Sequence, residues 1–320
     1  MKFLSHRIAH AVILLFCVSV LSITLVKFTP GDFFESMRIN PQISTEVLAA
    51  MRSQQGIDKP LPILYWTWLR SGFRGEWGFS FAYNSPAGPV LWPRLRNTLL
   101  LSVSATLVAW TIALLLGIAA AAKVGSWADL LASAAVAVLL AIPELVLALL
   151  LLLFAAHSHF LSLAVRPSVD LRPMSGWTEL QSTMKVLIFP TVCISGGLLP
   201  QLIRHVRATV VETLQSPFVT AAHGFGIPYQ RILLRHVLPA ASNPLISLLG
   251  LSLGLLMSSS LVAEAVFNWP GLGQLMLQAI SDRDIFLIAD AAILAAGFLI
   301  AGNFAADVLL HFTDPRIRTR

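Results

Sequence analysis

Charged residues are scarce in this chain of 320 residues, at 12% of the composition, whereas hydrophobic residues make up 56%. A soluble domain carries roughly a quarter charged residues and somewhat under half apolar ones. Its 22 basic and 16 acidic side chains are too few to cover the surface of a soluble protein of this length. Disorder is excluded for the same reason, since disordered chains are polar and charged. The composition and a mean hydropathy of +0.77 therefore predict a membrane protein.

Sequence motifs for enzymatic chemistry give no support for catalysis. The two cysteines, Cys17 and Cys193, lie inside apolar runs and are too few for a disulfide framework. The sequence has no phosphate-binding G-x-x-x-x-G-K-[ST] loop and no H-E-x-x-H zinc motif. His157 and His159 lack a third ligand, so we interpret them as interfacial side chains. We therefore expect a chain that is not an enzyme and has no catalytic residues, metal site or cofactor of its own.

Six stretches are long and apolar enough to cross a bilayer, which takes about twenty residues of helix. The first has a basic start but no small-x-small cleavage site, so we interpret it as a retained helix rather than a signal peptide. The predicted spans cover approximately residues 8–28, 97–122, 130–156, 185–204, 241–265 and 285–311. The predicted domains are a first transmembrane helix (1–28), an external subdomain (29–96), a five-helix core (97–311) with a cytoplasmic loop (204–240), and a cytoplasmic tail (312–320).

The placement of lysine and arginine predicts the orientation of the chain. With the N-terminus in the cytoplasm, ten basic residues fall on the inner side against three acidic ones. These ten are Lys2, Arg7, Lys123, Arg204, Arg207, Arg231, Arg235, Arg316, Arg318 and Arg320. Many of the outer basic residues lie in the long segment 29–96, which translocates largely regardless of charge. Both termini are therefore predicted to be cytoplasmic, and the net charge of +6 reflects topology rather than nucleic-acid binding.

Four acidic residues lie within or close to the predicted spans, where a charge is costly: Glu144, Glu264, Asp290 and Asp307. Glu264 and Asp307 are near predicted helix ends, which favours a packing role. Glu144 follows Pro143 in the middle of a span, and this position fits either packing or a polar translocation cavity. A gradient-driven secondary transporter, with Glu144 and Asp290 as ion sites, is the alternative from a different functional class.

Helix breakers indicate irregular or closely packed helices. Pro190, the pair Gly196-Gly197 and Pro200 predict a bent or interrupted fourth span. Such a break is tolerated only where protein or a water-filled cavity satisfies the backbone. Gly250 and Gly254 in the fifth span form a small face that lets another helix approach closely, from this chain or a second one.

The segment 212–239 predicts a short helix outside the membrane. Pro217 suits a first helical turn after Ser216 as N-cap, and Gly226 suits the left-handed residue that ends a helix. Pro228 is placed to open a following helix. An apolar stripe at helical spacing joins Phe218, Ala221, Ala222 and Phe225. This stripe is expected to lie on the membrane surface or in a groove of another protein.

The run 220–226, followed by Leu238-Pro239, resembles the EAA loop of ABC-importer permeases, with Thr220 where that pattern has glutamate. Further segments, in the expected order along nearly the whole chain, resemble the dipeptide, oligopeptide and nickel permease family. They are residues 29–32, 56–62, 74–80, 264–273, 283–284, 303–307 and 314–318.

The resemblance implies an all-α membrane protein with six transmembrane helices of the ABC type I importer permease kind and a small external subdomain after helix 1. It implies a bacterial inner-membrane location and contact with membrane lipid. Its expected partners are a second homologous permease subunit, two ATP-binding subunits that hold ATP and Mg, and an external solute-binding protein, with no nucleic acid. The implied ATPase-coupling residues are Phe218, Thr220, Ala221, Ala222, Phe225 and Gly226.

The cargo implied by the resemblance is a short peptide, with nickel or another small solute as the alternative. Two positions depart from what is common in the family. Phe225 stands where relatives commonly carry a basic residue, so docking here is expected to be more apolar. Glu144 stands where relatives usually carry a small or aromatic residue. We therefore predict Glu144 as a translocation-pathway residue that favours cationic cargo.

Overall fold

Helices account for nearly all of the regular structure in the part of the chain that the structure, a computed structural model, describes: residues 2–28, 33–34, 46, 48, 52–53, 58–158 and 176–313. The helices are α1 (Lys2–Phe28), α2 (Leu61–Phe73), α3 (Ala87–Ala122), α4 (Trp127–Ala141), α5 (Glu144–His157), α6 (Gly176–Leu214), α7 (Pro217–Gly224), α8 (Tyr229–Ile232), a π-helix (Leu233–Val237), α9 (Leu238–Val266), α10 (Leu272–Ser281) and α11 (Ile285–Thr313). One antiparallel hairpin pairs β1 (Phe79–Ser80) with β2 (Ser85–Pro86), and Ser80 lies opposite Ser85. The predicted all-α membrane class is confirmed.

Five helices within the described ranges are long and apolar enough to cross a membrane, and a bent pair makes up to six. The five are Arg7–Phe28, Ala87–Ala122, Gln181–Leu214, Tyr229–Gly250 and Ile285–Leu310. The sixth is the pair formed by Asp129–Ala141 and Glu144–His157, whose two halves are bent by 97°. The predicted count of six is thus reached when this pair crosses the membrane as one span.

The third predicted span, 130–156, is not one continuous helix, because α4 and α5 break at Ile142 and Pro143. Pro143 has no N–H for the helix ladder and disfavours helical geometry in the residue before it. Ile142 is accordingly extended, with φ −87° and ψ 115°. Glu144, predicted to lie in mid-span, is the first residue of α5 and stands at the bend of the pair.

The fourth predicted span, 185–204, was expected to bend or break, and the structure shows no break in it. Helix α6 runs without interruption from Gly176 to Leu214 and contains both Pro190 and Pro200. Both prolines are buried, so neighbouring side chains pack around the turns that each proline weakens. The segment predicted as a cytoplasmic loop, 204–240, contains the end of α6, which continues to Leu214, and helical structure again from Tyr229.

The chain divides into two compact units, of which the first comprises Met1–Thr98 and Pro270–Ile300. Its core joins side chains of α1, α2 and α11, among them Ile23, Leu64 and Phe286. Helix α2 also contacts the middle of α1, where the hydroxyls of Ser19 and Tyr65 lie 2.8 Å apart. This unit contains most of the segment predicted as an external subdomain, although α3 already begins at Ala87.

Buried carboxylates hold the first unit together. Asp284 accepts hydrogen bonds from the Ser80 hydroxyl at 2.7 Å and the Phe81 amide at 2.8 Å, and it caps α11 through the Leu287 amide. Burial raises the pKa of Asp284, and these hydrogen bonds oppose the rise. Asp290 accepts from Trp68 Nε1 at 2.9 Å. This contact joins α2 to α11 and gives Asp290 a packing role, while its Oδ2 is buried without a hydrogen-bond partner among the described residues.

The second unit comprises Leu99–Trp269 and Ala301–Arg320. A continuous core runs through it from α3 to the turn after α9, and the fully buried members include Leu101, Ile194, Val206 and Phe267. Gly117 and Gly250 allow close helix contacts: an added Cβ would lie 2.7 Å from Val206 Cγ1 at Gly117 and 2.5 Å from Ala306 Cβ at Gly250. The partner that the sequence predicted for Gly250 is therefore α11 of the same chain.

Several predictions fall on residues outside the described ranges. They concern the motif residues 29–32, 56–57 and 314–318, His159, and most of the tail 312–320. They stay predictions.

Candidate coupling surface and translocation-pathway residue

Helix α7 begins after a short interruption that follows α6. Ser216 occupies the predicted N-cap position in extended geometry, with φ −71° and ψ 151°, and Pro217 starts the helix. The Ser216 hydroxyl does not cap α7, because it donates instead to the Thr213 carbonyl at 2.6 Å and closes the last turn of α6. The position of the predicted cap is thus correct, and its hydrogen bond is not.

The end of α7 has the hydrogen bonds of a Schellman motif. The Ile227 amide donates to the Ala222 carbonyl at 3.2 Å, and the Gly226 amide donates to the His223 carbonyl at 2.9 Å. Gly226 adopts φ +72°, as its position in the sequence predicted. The chain therefore leaves α7 in a defined direction, which orients the exposed face of this helix.

Only one face of α7 packs against its own unit. Val219 is 3% exposed, and Ala222 and Ile227 pack beside it against the core of the second unit. Phe218 is 45% exposed and Phe225 is 85% exposed. These values define an outward face, here called the α7 face, which consists of Phe218, Thr220, Ala221 and Phe225, all exposed.

The structure divides the predicted apolar stripe between two sides of α7. Ala222 lies at the edge of the inward side and is half buried, whereas Phe218, Ala221 and Phe225 are exposed. Val219, the residue that anchors the helix, was missed. The i, i+3 spacing of Val219 and Ala222 was the available signal, but the aromatic pair Phe218 and Phe225 outweighed it.

The chain that follows α7 is anchored equally firmly and is basic on its exposed side. Ile232 and Val237 are fully buried, whereas Arg231 and Arg235 are exposed. The rings of His223 and Tyr229 stack at 6.2 Å across the turn between α7 and α8. A large exposed aromatic side chain with cations nearby along the chain fits an apolar groove with an acidic rim.

Glu144 stands at the bend between α4 and α5, facing α6. An added Cβ at Gly197 would lie 3.8 Å from Glu144 Cγ and Cδ, and one at Gly196 would lie 2.8 Å from Leu147 Cδ2. The two glycines thus allow α5 to approach α6 closely. Glu144 Oε1 is buried and accepts no hydrogen bond from the described residues. A buried carboxylate oxygen with an unused acceptor can receive a donor from a ligand or water.

A G-x-S-x-G pattern over 250–254 lies inside helix α9 and does not form a nucleophile turn. The Ser252 hydroxyl donates to the Leu249 carbonyl at 2.7 Å and accepts from Trp110 Nε1 at 3.1 Å. These contacts hold α3 against α9. A strained strand-to-helix turn, which the catalytic version of this motif requires, is not present here.

The fold is that of a multi-pass membrane protein with a short helix, α7, whose outward face is exposed. Residues 113–319 match the family model described as binding-protein-dependent transport system inner membrane component. Residues 1–97 match the N-terminal domain model of the same kind of protein. The chain belongs to this family, and it is a permease component of an ABC importer.

Relatives that are named for different cargoes each match this chain over 99% of its length. A peptide permease protein of Brucella ovis is 28% identical over 99% of its own length. The glutathione transport system permease protein GsiC of Salmonella typhimurium is also 28% identical over 99% of its length. The nickel import system permease protein NikB of Staphylococcus aureus is 27% identical over 92% of its length.

Proposed function

We propose that this chain forms half of the translocation pathway of an ATP-driven importer for short peptides, and that α7 couples it to an ATPase subunit. Its partners in this proposal are a second homologous permease subunit, two ATP-binding subunits and an external solute-binding protein. ATP and Mg bind in the ATPase subunits, and both termini of this chain lie in the cytoplasm. ATP-driven closure of the ATPases would shift the permeases between inward-open and outward-open states.

The observation that carries the coupling role is the α7 face. Phe225 is 85% exposed and directly follows a helix that Val219 anchors to its own unit, and such an aromatic side chain is suited to a partner's groove. The Schellman turn at Gly226 fixes the direction in which this face points. The docking residues of the proposal are the exposed Phe218, Thr220, Ala221 and Phe225, with the half-buried Ala222 at their edge and Gly226 as the residue that sets the turn.

The test is retention of the ATPase subunits when the tagged chain is purified with its co-expressed partners. Phe225→Glu is expected to reduce retention about tenfold or more, because it places a charge in an apolar contact. Phe225→Leu keeps an apolar side chain and serves as the matched control, with retention close to wild type. Equal retention by both variants, at equal membrane levels, would show that α7 is not the coupling helix.

Peptide is the proposed cargo, and the NikB relative supports nickel as the alternative. Glu144 supports a preference for cationic cargo, because its carboxylate has a buried oxygen with no described donor. Uptake of a lysine-containing peptide, a neutral peptide and Ni²⁺ by the assembled transporter distinguishes these possibilities.

Glu144→Gln is expected to reduce uptake of the cationic peptide about tenfold relative to the neutral one, since a charged hydrogen bond is lost. Glu76→Gln changes an exposed carboxylate in the other unit and serves as the control. An unchanged uptake ratio in Glu144→Gln would refute the role of Glu144. Uptake of Ni²⁺ without peptide uptake would show that nickel, and not peptide, is the cargo. The assignment as a permease would still hold.

A further inference from the structure

A narrow apolar groove lies between α3, α4 and α6 in the second unit. Its cavity of about 200 Å³ is lined by Ala120 of α3, Ile203 of α6 and, on α4, Ala132, Val136, Ala137 and Leu140. The lining residues of α4 extend over nine positions, with a rise of about 12 Å along the helix. The small side chains of Ala120, Ala132 and Ala137 leave the space open. The groove is therefore elongated along the helix and has the apolar lining that suits a hydrocarbon chain.

One end of the groove is basic. Arg207 and Arg204 line the cavity there, one helical turn apart on α6. The charge of Arg207 is offset by Asp129, which accepts from Arg207 Nε at 2.6 Å and from Nη2 at 2.8 Å. Arg204 is exposed and makes no ion pair or hydrogen bond with the described residues. A positive charge without a counterion thus stands at the mouth of the groove.

Further features at this end are typical of a membrane interface. A second cavity of about 340 Å³ shares Ser133 with the groove and is lined by Gly125, Ser126 and Trp127. Trp127 is 79% exposed, and tryptophan side chains are enriched at the headgroup level of a bilayer. Lys123, one turn after Ala120, is exposed as well. The basic end of this surface therefore suits the headgroup level of a bilayer, and the apolar side chains along α4 suit its hydrocarbon core.

We propose that this groove binds an anionic phospholipid of the cytoplasmic leaflet, with the phosphate at Arg204 and an acyl chain along α4. The proposal rests on the proposed function in one respect, because the cytoplasmic position of α7 places this end of α6 at that leaflet. The charge of Arg204 complements the anionic surface of this leaflet. The exposed apolar side chains of Leu130, Leu131 and Val138 on the same helix give the groove a lipid-facing border.

The test measures lipid binding to the full-length chain, purified with its partner subunits, stripped of lipid and titrated with dioleoyl phosphatidylglycerol or dioleoyl phosphatidylcholine. Native mass spectrometry counts the bound lipids. We expect one phosphatidylglycerol to bind more tightly than phosphatidylcholine, and Arg204→Ala to weaken it about fivefold or more. Arg70→Ala removes an exposed cation of the first unit and is expected to leave this binding unchanged.

The apolar part of the groove is tested separately with Ala137→Leu, which fills the groove without changing its charge. Ala134→Leu is the matched control, because Ala134 is also exposed on α4 but does not line the cavity. Loss of phosphatidylglycerol binding in Ala137→Leu alone supports the proposal. Glycerol phosphate tests the headgroup by itself, and full competition by it would show a phosphate site rather than a lipid site.

Three results would overturn the proposal: equal affinity for the two lipids, unchanged binding in both Arg204→Ala and Ala137→Leu, or no bound phosphatidylglycerol in the complex with the partner subunits. The last result would show that the groove holds no lipid in the assembled transporter. ATPase retention, measured on the same samples, reports on α7 independently. If no lipid binds while the ATPase subunits are retained as in wild type, the lipid site is refuted and the proposed function is not affected.

Discussion

Gly226 is the residue whose conformation the sequence predicted most directly. Its φ of +72° lies in the left-handed region, and an added Cβ there meets no atom within 4 Å. Any cost of substitution at Gly226 therefore comes from the backbone and not from crowding. Gly224, at the end of α7, has the same open surroundings without the positive φ. The two glycines together separate backbone strain from side-chain effects.

Gly226→Ala is expected to lower the free energy of unfolding by about 1 kcal/mol, because alanine is strained in the left-handed region. Gly226→Asn should cost less, since asparagine tolerates that region. Gly224→Ala is the control and should be neutral or stabilising, because alanine favours a helix. Thermal unfolding in detergent measures all three. Equal losses at positions 224 and 226 would contradict this account.

At the scale of helices, apolar run length predicted where spans occur, but it did not predict where they break. Pro143 ends a helix, whereas Pro190 and Pro200 stand inside α6. The same residue type gives opposite results because its surroundings differ. The buried prolines are enclosed by neighbouring side chains, whereas at the bend Glu144, next to Pro143, lies beside Gly197. Such packing depends on residues distant in sequence, which single-sequence patterns do not contain.

The candidate coupling site shows the same division between local and distant information. Turn chemistry at Pro217 and Gly226 is local, and both positions were predicted correctly. Val219 is buried because it contacts a core built from other helices, and this burial was not predicted from the sequence. Burial of Asp284 and Asp290 in the first unit was not predictable either, because their partners Ser80 and Trp68 are more than 200 residues away.

Packing of α9 against α11 depends on the absence of a side chain at Gly250. An added Cβ would lie 2.5 Å from Ala306 Cβ, which has no flexible end that could move away. Gly250→Ala is therefore expected to destabilise the protein by about 1–3 kcal/mol, the usual cost of overpacking. Gly297→Ala on α11 is the matched control, since a Cβ there meets nothing within 4 Å. Thermal unfolding that is unchanged in Gly250→Ala would rule out this close contact.

For the whole molecule, the number of membrane crossings depends on the bent pair α4–α5. If the pair crosses the membrane, Lys123 before it and His157 at its end lie on opposite sides. If the pair re-enters and returns, these two residues lie on the same side, and α6 then carries Thr220 to the other side. The coupling role of α7 requires Thr220 and Lys123 to share the cytoplasmic side, so it also requires the pair to cross.

Single cysteines at these three exposed positions test the topology directly, after Cys17 and Cys193 are replaced. A membrane-impermeant maleimide is applied to spheroplasts and to inside-out vesicles. We expect Lys123→Cys and Thr220→Cys to react only in inside-out vesicles, and His157→Cys only in spheroplasts. Basic residues near α6 and α7 favour this arrangement under the positive-inside rule. Reaction of Thr220→Cys in spheroplasts would refute the coupling helix and the cytoplasmic lipid site together, because both depend on the same side of the membrane.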